Sequence, residues 1–68
     1  LRNGQSLPAD HPETLQEALD RLEYEMIVEA LQATAGNGRQ AAELLGLTER
    51  KLGLRLRKYG LESRQFRY

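Results

Sequence analysis

The chain has 68 residues, with ten Lys and Arg against ten Asp and Glu, one histidine and no cysteine. This composition allows one small domain near the lower size limit for a lone hydrophobic core, and it excludes disulfide staples and thiolate zinc sites. His11 by itself cannot build a metal site, no apolar run reaches the length of a membrane span, and no signal-peptide pattern is present. A soluble intracellular domain with no metal and no cofactor is the expectation.

The zero net charge conceals a segregated distribution. Residues 1–36 hold two basic against seven acidic side chains, and residues 37–68 hold eight basic against three acidic. Such polarity marks a basic binding face; chance segregation in a short helical chain is the plainer alternative. The first residue is Leu1 rather than Met, which suggests a piece of a longer protein. Unstapled scaffolds of this size often borrow stability from a second subunit.

Residues 1–12 read as a linker from an upstream domain, with Gly4, Pro8 and Pro12 interrupting any helix. Pro12 at a first helical position, near Asp10, predicts a helix start around residues 11–14. From Glu13 to about Ala35 good helix formers run without Gly or Pro, and the acids fall early, where they suit the helix dipole. Gly36 is the expected terminating residue of this helix.

The apolar positions of the first helix form two stripes. Leu15, Leu19, Leu22 and Met26 step by four, three and four, a seam of a/d type, while Tyr24, Ile27, Val28 and Leu31 lie on another side. The short segment that follows cannot cover both. One face is therefore expected to pack within the chain and the Leu15–Leu19–Leu22–Met26 seam on a second copy, as a homodimer. Exposed leucines, or cover by the rest of a longer protein, are the alternatives.

A second helix is expected from Gly38 to Leu45, with Asn37 as its N-cap and Glu43 a solvated charge. Gly46 supplies the left-handed turn that ends it. Ala41 and Ala42 are small where two helices must cross, and Leu44, Leu45 and Leu47 are the expected buried wedge. Thr48 caps a third helix from about Glu49 to Lys58, which Gly60 terminates. Leu52, Leu56 and Tyr59 repeat at i, i+4 and i+7 and should face the core. Gly53 inside this helix costs roughly 1 kcal/mol against alanine, which calls for a tertiary reason. In the tail, residues 62–68, Phe66 and Tyr68 amid Arg64 and Arg67 either fold back on the domain or trail.

A tight helix-turn-helix presents its second helix to the DNA major groove. With Leu52, Leu56 and Tyr59 inward, the opposite arc holds Arg50, Lys51, Leu54, Arg55 and Lys58, with Arg57 at its flank. Arg and Lys donate to guanine acceptors, and an apolar side chain meets a thymine methyl. The N-terminal residues of such a helix go deepest, so Glu49, Arg50, Lys51, Gly53 and Leu54 are the candidate base readers. Arg55, Arg57 and Lys58 suit phosphates, and Asn37 and Arg39 add phosphate contacts beside the helix dipole. Catalysis is not expected: no His-carboxylate-nucleophile set is present, and Gly36-Asn37-Gly38 lacks the preceding strand and following Lys of a nucleotide loop.

Residues 36–61, Gly-Asn-Gly-Arg-Gln-Ala-Ala-Glu-Leu-Leu-Gly-Leu-Thr-Glu-Arg-Lys-Leu-Gly-Leu-Arg-Leu-Arg-Lys-Tyr-Gly-Leu, resemble the helix-turn-helix of the Fis family. The version they most resemble ends bacterial sigma-54-dependent enhancer-binding activators, and the Thr-Glu-Arg then Gly-Leu-Arg-Leu-Arg-Lys-Tyr pattern is similar to nitrogen-fixation-type activators. The likeness covers residues 13–61, taken here as the DNA-binding and dimerisation domain. It implies an all-α fold, a long dimer helix followed by a helix-turn-helix, and a homodimer on a palindromic upstream site of double-stranded DNA. It also implies an upstream AAA+ ATPase that reaches sigma-54 RNA polymerase, in the bacterial cytoplasm at the nucleoid. By the same resemblance, Asn37 and Arg39 contact phosphate, and Thr48, Glu49, Lys51, Gly53 and Leu54 enter the groove. Family members often carry Arg at the positions of Glu49 and Gly53, so the site preference of this chain is its own. Two other readings stay open, a free-standing Fis-like nucleoid protein and a helical protein-interaction module.

Overall fold

The computed structural model describes residues 13–67, and all regular structure among them is helical. The linker assigned to residues 1–12, with Asp10, His11 and Pro12, and the terminal Tyr68 lie outside the described residues. Helix α1 spans Leu15–Ala33, α2 Gly38–Leu45 and α3 Glu49–Tyr59, followed by a single 3-10 turn, Ser63–Phe66.

Helix α1 starts later than the Pro12 signal predicts, because Thr14 supplies a stronger one. The Thr14 hydroxyl accepts from Glu17 N–H at 3.1 Å, and Thr14 N–H donates to Glu17 Oε1 at 2.8 Å. This reciprocal capping box satisfies two otherwise orphaned donors and sets the first turn at Leu15. The other end also differs by one residue. Ala35, at φ 52°, takes the left-handed position expected of Gly36. Gly36 N–H then donates to Leu31 C=O at 2.8 Å and Ala35 N–H to Gln32 C=O at 3.3 Å, the paired closing bonds of a Schellman turn.

Helices α2 and α3 end in the same paired bonds, now around Gly46 and Gly60. Gly46 has φ 72° and open space where a Cβ would stand, so its backbone conformation alone calls for glycine. At their starts, Gln40 N–H donates to Asn37 Oδ1 at 3.0 Å and Lys51 N–H to Thr48 Oγ at 3.1 Å. Both predicted caps are formed.

The core gathers Ile27, Ala30 and Leu31 of α1, Ala41 and Ala42 of α2, and Leu52 of α3. Ala41 and Ala42 are fully covered, as small residues must be where helices cross closely. Leu45, Leu47, Leu56, Tyr59, Leu61 and Phe66 pack around this centre. Leu44 is the exception to the expected wedge, at 65% exposed. It sits roughly a quarter-turn round the helix from the Ala41, Ala42 and Leu45 face, so it cannot share their direction.

All three buried residues of α1 lie in its C-terminal half. The seam expected to pack on a second copy is open: Leu15, Leu19, Leu22 and Met26 are 77%, 49%, 51% and 48% exposed.

Candidate nucleic-acid interface

Two hydrogen-bonded caps build the turn between α2 and α3. Each cap uses only the acceptor oxygen of its side chain. The Asn37 amide NH2 and the Thr48 hydroxyl proton remain as donors at the two helix starts, where the backbone dipole also favours an anion.

From Thr48, α3 leaves with Leu52 buried and Leu56 and Tyr59 half-buried. The expected inward triplet is correct. On the opposite side Arg50, Leu54 and Arg57 are exposed, with Lys51 on one shoulder and Gly53 on the other. Arg39, Arg50, Lys51 and Arg57 have no ion pair among the described residues.

Arg55 and Lys58 behave differently. Arg55 Nε lies 3.0 Å from Glu23 Oε2, and Lys58 Nζ lies 3.0 Å from Asp20 Oδ1 and 3.8 Å from Glu23 Oε1. Both cations thus turn toward α1 rather than straight outward. The lysine hydrogen bond holds the Asp20 carboxyl below its ordinary range, with Gln16 adding to it. The same bond raises Lys58. The Tyr59 hydroxyl completes the cluster, bonding to Glu23 and to Asp20 C=O, and its ring meets Tyr24 edge-on at 5.6 Å. Burial, then Glu23, pushes the Tyr59 phenol up. This cluster ties the last two turns of α3 to the first half of α1. Its signature was present in the sequence as acids at 20 and 23 and cations at 55 and 58, each pair three residues apart.

Gly53 has no packing reason inside the chain. Nothing lies within 4 Å of where its Cβ would be. The tertiary contact expected to explain it is absent among the described residues, and half-buried Gly53 leaves open space on the shoulder of α3 next to Leu54.

Residues 18–59 match the family described as bacterial regulatory protein, Fis family. The chain belongs to the Fis family. It is 50% identical over 56 residues to the nitrogen fixation protein VnfA of Azotobacter vinelandii, covering 82% of this chain and 11% of that protein. It is 45% identical over 53 residues to the nitrogen fixation protein AnfA of the same organism, covering 78% and 10%. No solved structure matches. The chain spans about a tenth of the length of the curated relatives it matches.

The Fis-family assignment makes this a DNA-binding helix-turn-helix of a regulatory protein, of which α2 and α3 are the two helices. Among the residues singled out from sequence, Asn37, Arg39, Thr48 and Glu49 gather at the starts of α2 and α3. Arg50, Lys51, Gly53, Leu54 and Arg57 share the open side of α3. Arg55 and Lys58 stand at its margin, engaged with α1. Among the described residues no group of His, Cys, Asp and Glu is arranged to hold a metal ion, and no helix is long and apolar enough to cross a membrane.

Proposed function

We propose that this domain binds a palindromic upstream enhancer site as a homodimer, as the C-terminal part of a sigma-54-dependent transcriptional activator. The observation that carries the reading is the open side of α3, where Arg50, Lys51 and Arg57 flank the apolar Leu54 with no ion pair among the described residues. Such a face suits guanine acceptors, a thymine methyl and flanking phosphates together. In this reading residues 13–61 form the binding unit and residues 1–12 lead from an AAA+ module that addresses sigma-54 RNA polymerase. The naming of both relatives as nitrogen fixation proteins supports a place among such activators.

The dimer reading rests on the uncovered α1 seam. Leu19, Leu22 and Met26 border a groove of about 250 Å³ that Ile27, Leu45 and Leu47 floor. A second copy laying its own Leu22 and Met26 there would cover the exposed seams of both copies at once, and its recognition helix would reach a second half-site.

Titration of the chain against a promoter-derived palindrome and a scrambled duplex, at several salt concentrations, tests the DNA reading. Tighter binding to the palindrome is expected. Equal affinities indicate architectural binding, and no salt-dependent binding at all indicates a protein-interaction module. Sedimentation equilibrium across dilution tests the seam: Met26→Glu is expected to shift dimer to monomer, and a wild-type chain monomeric at high concentration removes the dimer from the proposal.

A further inference from the structure

The tail that sequence patterning leaves unassigned is a built part of the domain. Leu61 and Phe66 pack against the core. Glu62 N–H donates to Gln65 Oε1 at 3.0 Å, closing a capping box on the Ser63–Phe66 turn. The turn seats on Gly36, which is buried and has φ 83°. A methyl group at Gly36 would stand 2.5 Å from Ser63 C=O and 2.8 Å from Arg67 Cγ. No side chain fits there, so glycine at this position admits the tail.

That seat places Arg67 beside the DNA-facing elements. An open polar cleft of about 750 Å³ is shared by Arg67 and Ser63 of the tail, Asn37 and Arg39 at the start of α2, and Glu49 at the start of α3. Neither Arg39 nor Arg67 has an ion pair among the described residues, whereas Arg64 on the same turn is held at 2.5 Å by Glu62. The cleft thus carries two available guanidinium groups against one carboxylate, and it is continuous with the recognition surface through Asn37, Arg39 and Glu49. Bidentate guanidinium groups are the side chains best matched to phosphate oxygens.

We infer that the C-terminal turn is a third DNA-contacting element, in which Arg67 joins Arg39 on the sugar-phosphate backbone flanking the groove. The inference rests on the DNA-binding reading and adds a contact outside the helix-turn-helix. Arg67 positions the duplex without reading sequence, because phosphate contacts carry no base information.

The test is titration of the chain with a random-sequence duplex over a range of salt. Arg67→Ala is expected to weaken binding and to lower the slope of log K against log salt by about 0.9 per subunit, the loss of one phosphate contact. Arg67→Lys keeps the slope. Arg64→Ala, an equal change of charge on a residue outside the cleft, leaves it near the wild-type value. Gly36→Ala dislodges the turn and lowers the slope as Arg67→Ala does, with circular dichroism reporting that the helices persist. A wild-type chain with no salt-dependent binding overturns the DNA reading and this contact with it. Wild-type binding with an unchanged Arg67→Ala slope, or an equal loss in Arg64→Ala, overturns the tail contact alone.

Discussion

Lys58 Nζ lies 3.0 Å from Asp20 Oδ1, joining the last turn of α3 to the first half of α1 across 38 residues of chain. With the Arg55–Glu23 pair beside it, this contact has two consequences. It links α3 to α1, and it engages two cations that would otherwise add to the free positive charge of α3. Exposed ion pairs of this type contribute little to stability, so the second consequence outweighs the first.

The pH dependence of the contact follows from the directions of its two shifts. Asp20 sits below its ordinary 3.8, so its contribution is present above that value and is lost as pH falls through the lowered one. Lys58 sits above its ordinary 10.5, so its contribution is full below that value and is lost as pH rises through the raised one. Tyr59, raised above 10.0, loses its neutral form in the same alkaline direction. The thermal unfolding midpoint should therefore show no pH dependence from this cluster across the neutral range. Asp20→Asn should make the acid-side fall in midpoint shallower than in the wild type.

Neutralising the α1 acids should release the engaged cations toward DNA. The double variant Asp20→Asn, Glu23→Gln is expected to bind all duplexes more tightly, with a steeper salt dependence, while discrimination between palindrome and scrambled duplex falls. One added phosphate contact corresponds to a slope change of about 0.9. Fluorescence anisotropy at several salt concentrations measures both quantities, and an unchanged slope would show that Arg55 and Lys58 stay clear of the backbone.

Gly53→Ala separates folding from binding. The position is helical and spacious, so alanine should stabilise the fold by roughly 0.5–1 kcal/mol through helix propensity. Chemical denaturation would report this as a higher midpoint at unchanged m-value. The added methyl projects from the recognition face, and DNA affinity should fall although stability rises. Opposite signs in the two measurements identify Gly53 as a site of close DNA approach.

Arg50 and Arg57 should divide the work of α3. In the proposed reading Arg50, in its first turn, reaches base edges, so Arg50→Ala is expected to cost about 1–3 kcal/mol on the preferred site and to relax discrimination. Arg57, in the last turn, suits phosphate, so Arg57→Ala should weaken all sequences alike. Competition titration with single-base variants of the site distinguishes them; equal effects on discrimination would mean that α3 enters the groove by another edge.

Local signals were enough to determine most of the scaffold. The caps Asn37 and Thr48, the turn at Gly46, the small Ala41–Ala42 pair and the Leu52–Leu56–Tyr59 face depend on bonds and periodicities within a few residues, and a sequence records those directly. The α1 start slipped because Thr14 and Glu17 form a reciprocal cap that outweighs a proline signal. At its other end Ala35 and Gly36 both take positive φ, so the left-handed turn begins one residue before the glycine. Tertiary structure decided the rest. Whether Arg55 and Lys58 face DNA or α1 depends on how two helices cross, and whether residues 62–67 trail or dock depends on a cavity that only Gly36 leaves open. Side-chain direction around a helix is local, but the neighbour that meets it is set by packing across the whole chain.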